Sequence, residues 1–146
     1  MRLTFSSSAD QKARAIAEAL CAPLGHHEWI SEEPLFDAVT ALAGSGPAFV
    51  YRFIDALAAG ATALGLPADQ AERLALATVE GAGALARASE HGPGELARRV
   101  ASPGGTTEAG LRVLDEGEAM ARLAAATLKA AADRSAEMAR QARDKM

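Results

Sequence analysis

The residues best suited to chemistry are Ser102-Pro103-Gly104-Gly105-Thr106-Thr107, set directly before a stretch of helical periodicity. Two glycines let the backbone turn so that successive N–H groups converge. The hydroxyls add donors, and the following helix offers the positive end of its dipole. Such a loop suits a small anion. An ordinary capped turn would use the same residue types, so context has to decide. Gly44-Ser45-Gly46-Pro47-Ala48-Phe49 has part of the spacing of a dinucleotide fingerprint. Phe49 fills the third glycine position, however, and the preceding segment has helical rather than strand character, so on its residues it is a joint between helices. No phosphate-cradling Walker sequence occurs. Cys21, His26 and His27 offer soft ligands, but adjacent histidines rarely converge on one ion and His91 is distant, so no metal site is expected. Glu90 and His91 precede Pro93 in a loop and, by type alone, are solvated polar groups.

Composition sets what must position these residues. The chain has 146 residues, the size of one domain. It holds 37 Ala and 16 Leu against 5 Val and 3 Ile, which favours helix over sheet. Six aromatics and a formal charge of −4 disfavour nucleic-acid binding. A single Cys excludes an internal disulfide and suits a reducing compartment, so a cytoplasmic location is expected. The most apolar run, 53–66, is broken by Asp55 and is too short to span a bilayer. The segment after Arg2, Thr4 to Ser8, lacks the apolar core of a signal peptide.

Along the chain, Ser8 and Gln11 form a capping-box pattern ahead of Ile16 and Leu20, which predicts a helix over 9–22. Residues 26–30 are read as a loop. Pro34 opens a helix through Leu42, Gly44-Ser45-Gly46 interrupts it, and a second opens at Pro47 and stops at Gly65. Residues 68–88 are apolar most of the way round, which predicts a buried helix. Gly60, Gly81 and Gly83 inside helices each cost about 1 kcal/mol relative to Ala, so close approach of another helix is expected there. Further helices are read near 95–100, 107–116 and 120–138. The expected fold is all-α, a bundle of about six or seven helices. So short a chain has little interior for the 68–88 helix, and a second subunit accounts for part of its apolar surface.

The run Asp37-Ala38-Val39-Thr40-Ala41-Leu42-Ala43-Gly44-Ser45-Gly46-Pro47-Ala48-Phe49 closely resembles the signature that opens the C-terminal domain of pyrroline-5-carboxylate reductases. The second signature of that family is similar to Val100-Ala101-Ser102-Pro103-Gly104-Gly105-Thr106-Thr107, which follows at the family's spacing of about fifty residues. Gly65-Leu66, Ala82 and Leu114-Asp115-Glu116-Gly117 also resemble family positions, and the likeness covers roughly residues 12–140. Ala43 stands where the family commonly has Ser, and Phe49 where it often has Tyr. Ala43 therefore lacks a hydroxyl that could face the nicotinamide.

The resemblance implies a dimerisation and substrate-binding domain over 31–146, intertwined in a homodimer and stacked into rings of dimers, with 1–30 the tail of a cofactor domain. Complete enzymes of this family reduce 1-pyrroline-5-carboxylate to L-proline with NADPH or NADH. None is expected to bind to this chain alone, because the glycine fingerprint is missing. By resemblance, Ser102 and the backbone N–H groups of Gly105, Thr106 and Thr107 hold the substrate carboxylate, with Gly104 shaping the loop. The Thr107 hydroxyl is the catalytic group, near the ring nitrogen. Glu90 matches an acidic position near the pocket, and cofactor contacts fall at Ser45 and Gly46. A non-catalytic helical dimerisation module is the alternative. The helical domain of a β-hydroxyacid dehydrogenase would need a helix lysine, and Lys12, Lys129 and Lys145 all lie near the chain ends.

Overall fold

The helical periodicity read from the sequence recurs in the structure, a computed structural model that describes residues 3–6, 10–25 and 27–145. The described residues are helical apart from turns and one pair of four-residue strands. They divide into two units, residues 1–47 with 124–146 and residues 48–123.

The first unit begins with β1 (Leu3–Ser6), α1 (Gln11–Cys21) and β2 (His27–Ile30). The strands pair in parallel, with Leu3 opposite His27 and Ser6 opposite Ile30. Parallel partners need a crossover, and α1 supplies it. The loop expected at 26–30 is thus corrected to a strand over 27–30, while His26 lies outside the described residues. Four residues are too few to show alternation, and the strand exists because a partner 24 positions away in register accepts it. The helix start is also corrected. Asp10, not Ser8, caps α1, its Oδ1 accepting the Ala13 N–H at 2.7 Å; Ser8 lies outside the described residues. Trp29 on β2 ties the strand to α1. Its indole N–H donates to Glu18 at 2.7 Å, and the Arg14 guanidinium stands 4.7 Å from the ring centre.

After a 3-10 turn at Glu33–Leu35, α2 (Phe36–Val39) runs into a π-helical turn, Thr40–Gly44. That turn ends where the Ser45 N–H donates to Thr40 O at 3.0 Å. Next comes α3 (Gly46–Ala63), with Pro47 in its first turn, where a missing N–H costs nothing. Most of the last helix, α7 (Ala119–Arg143), belongs to this unit. There the Ser135 hydroxyl donates to Asp37 Oδ1 at 2.6 Å, joining residues 98 positions apart.

The second unit holds most of α3, then α4 (Ala68–Ala88), α5 (Pro93–Val100), α6 (Thr106–Asp115) and the start of α7. α3 stops as its sequence requires. Gly65 takes φ +102°, its N–H donates to Thr62 O at 2.9 Å, and the Leu66 N–H reaches Ala61 O at 3.2 Å. Together these satisfy carbonyls that the helix end would otherwise orphan.

Two expectations fail within the single chain. α4 is not buried: of its side chains only Ala71 and Ala75 are, while Leu74, Leu76 and Leu85 are 50%, 55% and 58% exposed. Nor does any helix close on the helical glycines, since a Cβ at Gly60, Gly81 or Gly83 would meet nothing within 4 Å. Among the described residues the buried apolar ones, Cys21, Ala41, Ala71 and Ala75, are all small. An open groove of about 440 Å³ runs along α3 and α4, lined in part by Tyr51, Ile54, Ala58, Thr62, Glu72 and Leu76.

Gly65 makes a clean test of how α3 ends, because a Cβ there meets open space and only the backbone conformation resists it. Gly65→Ala should lower stability by about 1 to 2 kcal/mol and Gly65→Asn by less. Urea unfolding, read as a midpoint shift at constant slope, measures both.

Candidate functional site

The loop at 102–107 is shaped from both sides. Upstream, α5 starts at Pro93 after Gly92 and is braced by a fork on Glu95. Arg98 donates to Glu95 Oε2 from Nε at 3.0 Å and from a terminal nitrogen at 2.7 Å, and Arg99 Nε donates to Oε1 at 3.0 Å. These hydrogen bonds, with the Arg98 charge, hold the Glu95 carboxyl below its ordinary pKa. Since the folded value is the lower one, this brace is present above the usual carboxylate range and is lost as pH falls through the depressed value. The Ala101 N–H then donates to Arg98 O at 3.2 Å, closing the helix.

Ser102 to Gly105 form a reverse turn in which the Gly105 N–H donates to Ser102 O at 2.9 Å. Each residue of Pro103-Gly104-Gly105 has a separate reason to be there. Proline presets the first inner position of such a turn, and the second needs positive φ, which Gly104 supplies at +72°. Gly105 is the N-cap of α6 with an ordinary φ of −83°. It is required for space instead, because a Cβ would stand 2.6 Å from Ser102 Oγ and 3.0 Å from Ser102 O.

This arrangement revises which groups can hold an anion. The Gly105 N–H, expected as a donor, is committed to the turn. The Gly104 N–H is committed as well, donating to Glu108 Oε2 at 2.8 Å. The N–H groups of Thr106 and Thr107, in the first turn of α6, have no partner among the described residues. The Ser102, Thr106 and Thr107 side chains are likewise without a hydrogen bond, and all three residues are exposed. Two backbone donors, up to three hydroxyls and a helix dipole therefore remain available to a small carboxylate or phosphate.

Glu108 is the participant that the sequence reading missed. The signal was present: with Gly105 as cap, Glu108 sits three residues on, where a carboxylate habitually reaches back to the orphan N–H groups at a helix start. Only the true cap position exposes that spacing.

Glu90, on the segment between α4 and α5, is exposed and makes no hydrogen bond or ion pair among the described residues. Ser45 and Gly46 are half-buried at the end of the π-helical turn. They belong to the first unit, whereas the loop belongs to the second. Ala43 and Phe49 flank them and are also half-buried. A π-helical turn is rare and often accompanies function, and nothing in the residue pattern of 40–44 announced it.

Between β1 and α1 the chain reads Ser7-Ser8-Ala9-Asp10, without a glycine, and the Asp10 carboxylate occupies the helix N-terminus that a pyrophosphate would need. Among the described residues no three His, Cys, Asp or Glu side chains gather as metal ligands, and no helix is long and apolar enough to cross a membrane.

A family model described as pyrroline-5-carboxylate reductase dimerisation matches residues 33–138. The chain is 48% identical over 110 residues to a pyrroline-5-carboxylate reductase of Pisum sativum, covering 75% of this chain and 40% of that one. Its structure is similar to a pyrroline-5-carboxylate reductase from Coxiella burnetii, with a TM-score of 0.84 and 36% identity over 91% of this chain and 49% of that one. It is also similar to a Plasmodium falciparum pyrroline carboxylate reductase with NADP bound, with a TM-score of 0.77 and 27% identity over 90% and 50% of the two chains. The chain thus spans half or less of the length of each of these relatives.

The geometry of the loop yields a steric prediction. Gly105→Ala should open the turn and cost about 1 to 3 kcal/mol. Adding Ser102→Ala, which removes the 2.6 Å clash but not the 3.0 Å one, should recover part of that loss. Denaturant melts of the two variants and the parent measure it.

Proposed function

Because this chain belongs to the pyrroline-5-carboxylate reductase dimerisation family, we propose that it is the dimerisation and substrate-binding part of a cytoplasmic reductase that turns 1-pyrroline-5-carboxylate into L-proline. The observation that carries the substrate half of this reading is the partnerless donor set at the start of α6, the Thr106 and Thr107 N–H groups with the hydroxyls of Ser102, Thr106 and Thr107. A five-membered ring bearing a carboxylate presents one anion to such a set. In this reading the carboxylate sits on the Thr106 and Thr107 N–H groups and Ser102, while Gly104 and Gly105 keep the turn in shape. The Thr107 hydroxyl then orients the ring nitrogen or passes it a proton, and Glu90 lines the pocket edge.

NADPH or NADH supplies the hydride in the complete enzyme. Residues 1–30, with β1, α1 and β2, are read as the tail of the domain that carries it. Ser45 and Gly46 are read as that cofactor's contacts from this side.

The dimer half of the proposal rests on the apolar surface. Large side chains such as Leu76, Leu85, Val113 and Leu123 remain more than half exposed. Burying one of them fully is worth about 1.5 to 3 kcal/mol. A second copy that interlocks with α3 and α4 would supply that burial, and it would fill the open space beside Gly60, Gly81 and Gly83. Rings of such dimers follow from the same kind of surface. A non-catalytic helical module would need the same faces covered, but it has no use for the partnerless donors at α6.

Sedimentation equilibrium should return about twice the chain mass of 15.0 kDa at micromolar concentration. A folded species of the single-chain mass would overturn the dimer. L-Proline should bind with millimolar affinity and shift amides between Ala101 and Glu108, and Thr107→Ala should weaken it modestly. An NMR titration in which saturating L-proline moves none of them would refute the site. The purified chain alone should show no NADPH- or NADH-dependent turnover of pyrroline-5-carboxylate.

A further inference from the structure

The anion loop already contains an anion. Glu108 Oε2 accepts the Gly104 N–H at 2.8 Å, inside the turn that precedes the Thr106 and Thr107 donors. Arg112, one turn along α6, stands 3.9 Å from the same oxygen, and both side chains are substantially exposed at 77% and 45% for Arg112 and Glu108. An exposed pair at that separation neutralises little of the charge. Glu108 therefore does two physical things at once. Its oxygen restrains the one loop residue whose φ is positive, and its charge occupies the N-terminal end of the α6 dipole that an incoming carboxylate would use.

We propose that Glu108 is a positioning residue of the substrate loop, which holds Gly104 in its turn conformation and whose negative charge lowers the loop's affinity for carboxylate ligands. The charge effect rests on the reading of this loop as a carboxylate site, while the restraint on Gly104 does not. With Glu108 in place, a bound carboxylate stays weakly held, which favours exchange of substrate and product over tight retention. The residue touches Gly104 and not the reacting atoms, so its role is positional.

Two variants of the full chain separate the effects. Glu108→Gln keeps an oxygen acceptor for the Gly104 N–H and loses the charge, whereas Glu108→Ala loses both. L-Proline should bind about two- to fivefold more tightly to Glu108→Gln than to the parent, the range expected for one charge at a helix terminus. L-Prolinamide, which keeps the ring and the ammonium but lacks the carboxylate, should not tighten. A purely structural role for Glu108 would not produce that contrast. In hydrogen exchange, the Gly104 amide should keep its protection in Glu108→Gln and lose it in Glu108→Ala. Equal L-proline affinity in the parent and Glu108→Gln, or tightening of both ligands alike, would overturn the charge effect. Unchanged Gly104 protection in Glu108→Ala would overturn the restraint. If L-proline shifts no loop amide in either the parent or Glu108→Gln, the carboxylate-site reading fails and the charge effect with it, while the exchange result still stands or falls by itself.

Discussion

Small side chains set the terms for this protein. What is buried among the described residues is Cys21, Ala41, Ala71 and Ala75. Alanine is the best helix former, so the elements are well specified, but each buried Ala removes little apolar surface from water. The larger side chains that could form a core, such as Leu74, Leu76 and Leu85 on α4, point away from that small interior. Helices strong in propensity and poor in internal burial need another surface, and this is the physical content of a dimerisation domain.

The loop at 102–107 presents the opposite case, since it leaves polar groups unsatisfied. Backbone donors at a helix start are normally capped or solvated. Here the turn uses the Gly105 N–H internally, Glu108 takes that of Gly104, and Thr106 and Thr107 are left open. The allocation comes from sterics as much as from hydrogen bonding. A Cβ at Gly105 would collide with Ser102, and any residue but glycine is strained at position 104. The two glycines thus have different duties in the loop, one conformational and one steric, and the Glu108 carboxylate adds a hydrogen bond to the first of them.

Between the loop and the family resemblance, much of the candidate site could be read in advance. The Pro-Gly-Gly-Thr-Thr run before an amphipathic stretch carries its own physical meaning. What could not be read was which N–H groups remain free, because that depends on the register of the turn and on the cap position. Gly105 looked like a donor and is instead part of the scaffold. Glu108, which the residue pattern did not single out, is the loop's internal acceptor.

For the fold, local chemistry determined the helices. Alanine and leucine content, the Gly65-Leu66-Pro67 stop and the Pro34 and Pro47 starts act within a few residues, so α3 and α4 lie where their residues place them. Tertiary structure decided whatever depends on a distant partner. β2 is a strand because β1 lies beside it, and Asp37 is anchored because Ser135 returns to it on α7. The exposure of α4 went the same way: its apolar surface was legible, but that the single chain leaves Leu74, Leu76 and Leu85 uncovered was not. A sequence records how much apolar surface a helix carries, whereas only the arrangement of the other helices fixes how much of it one chain can hide.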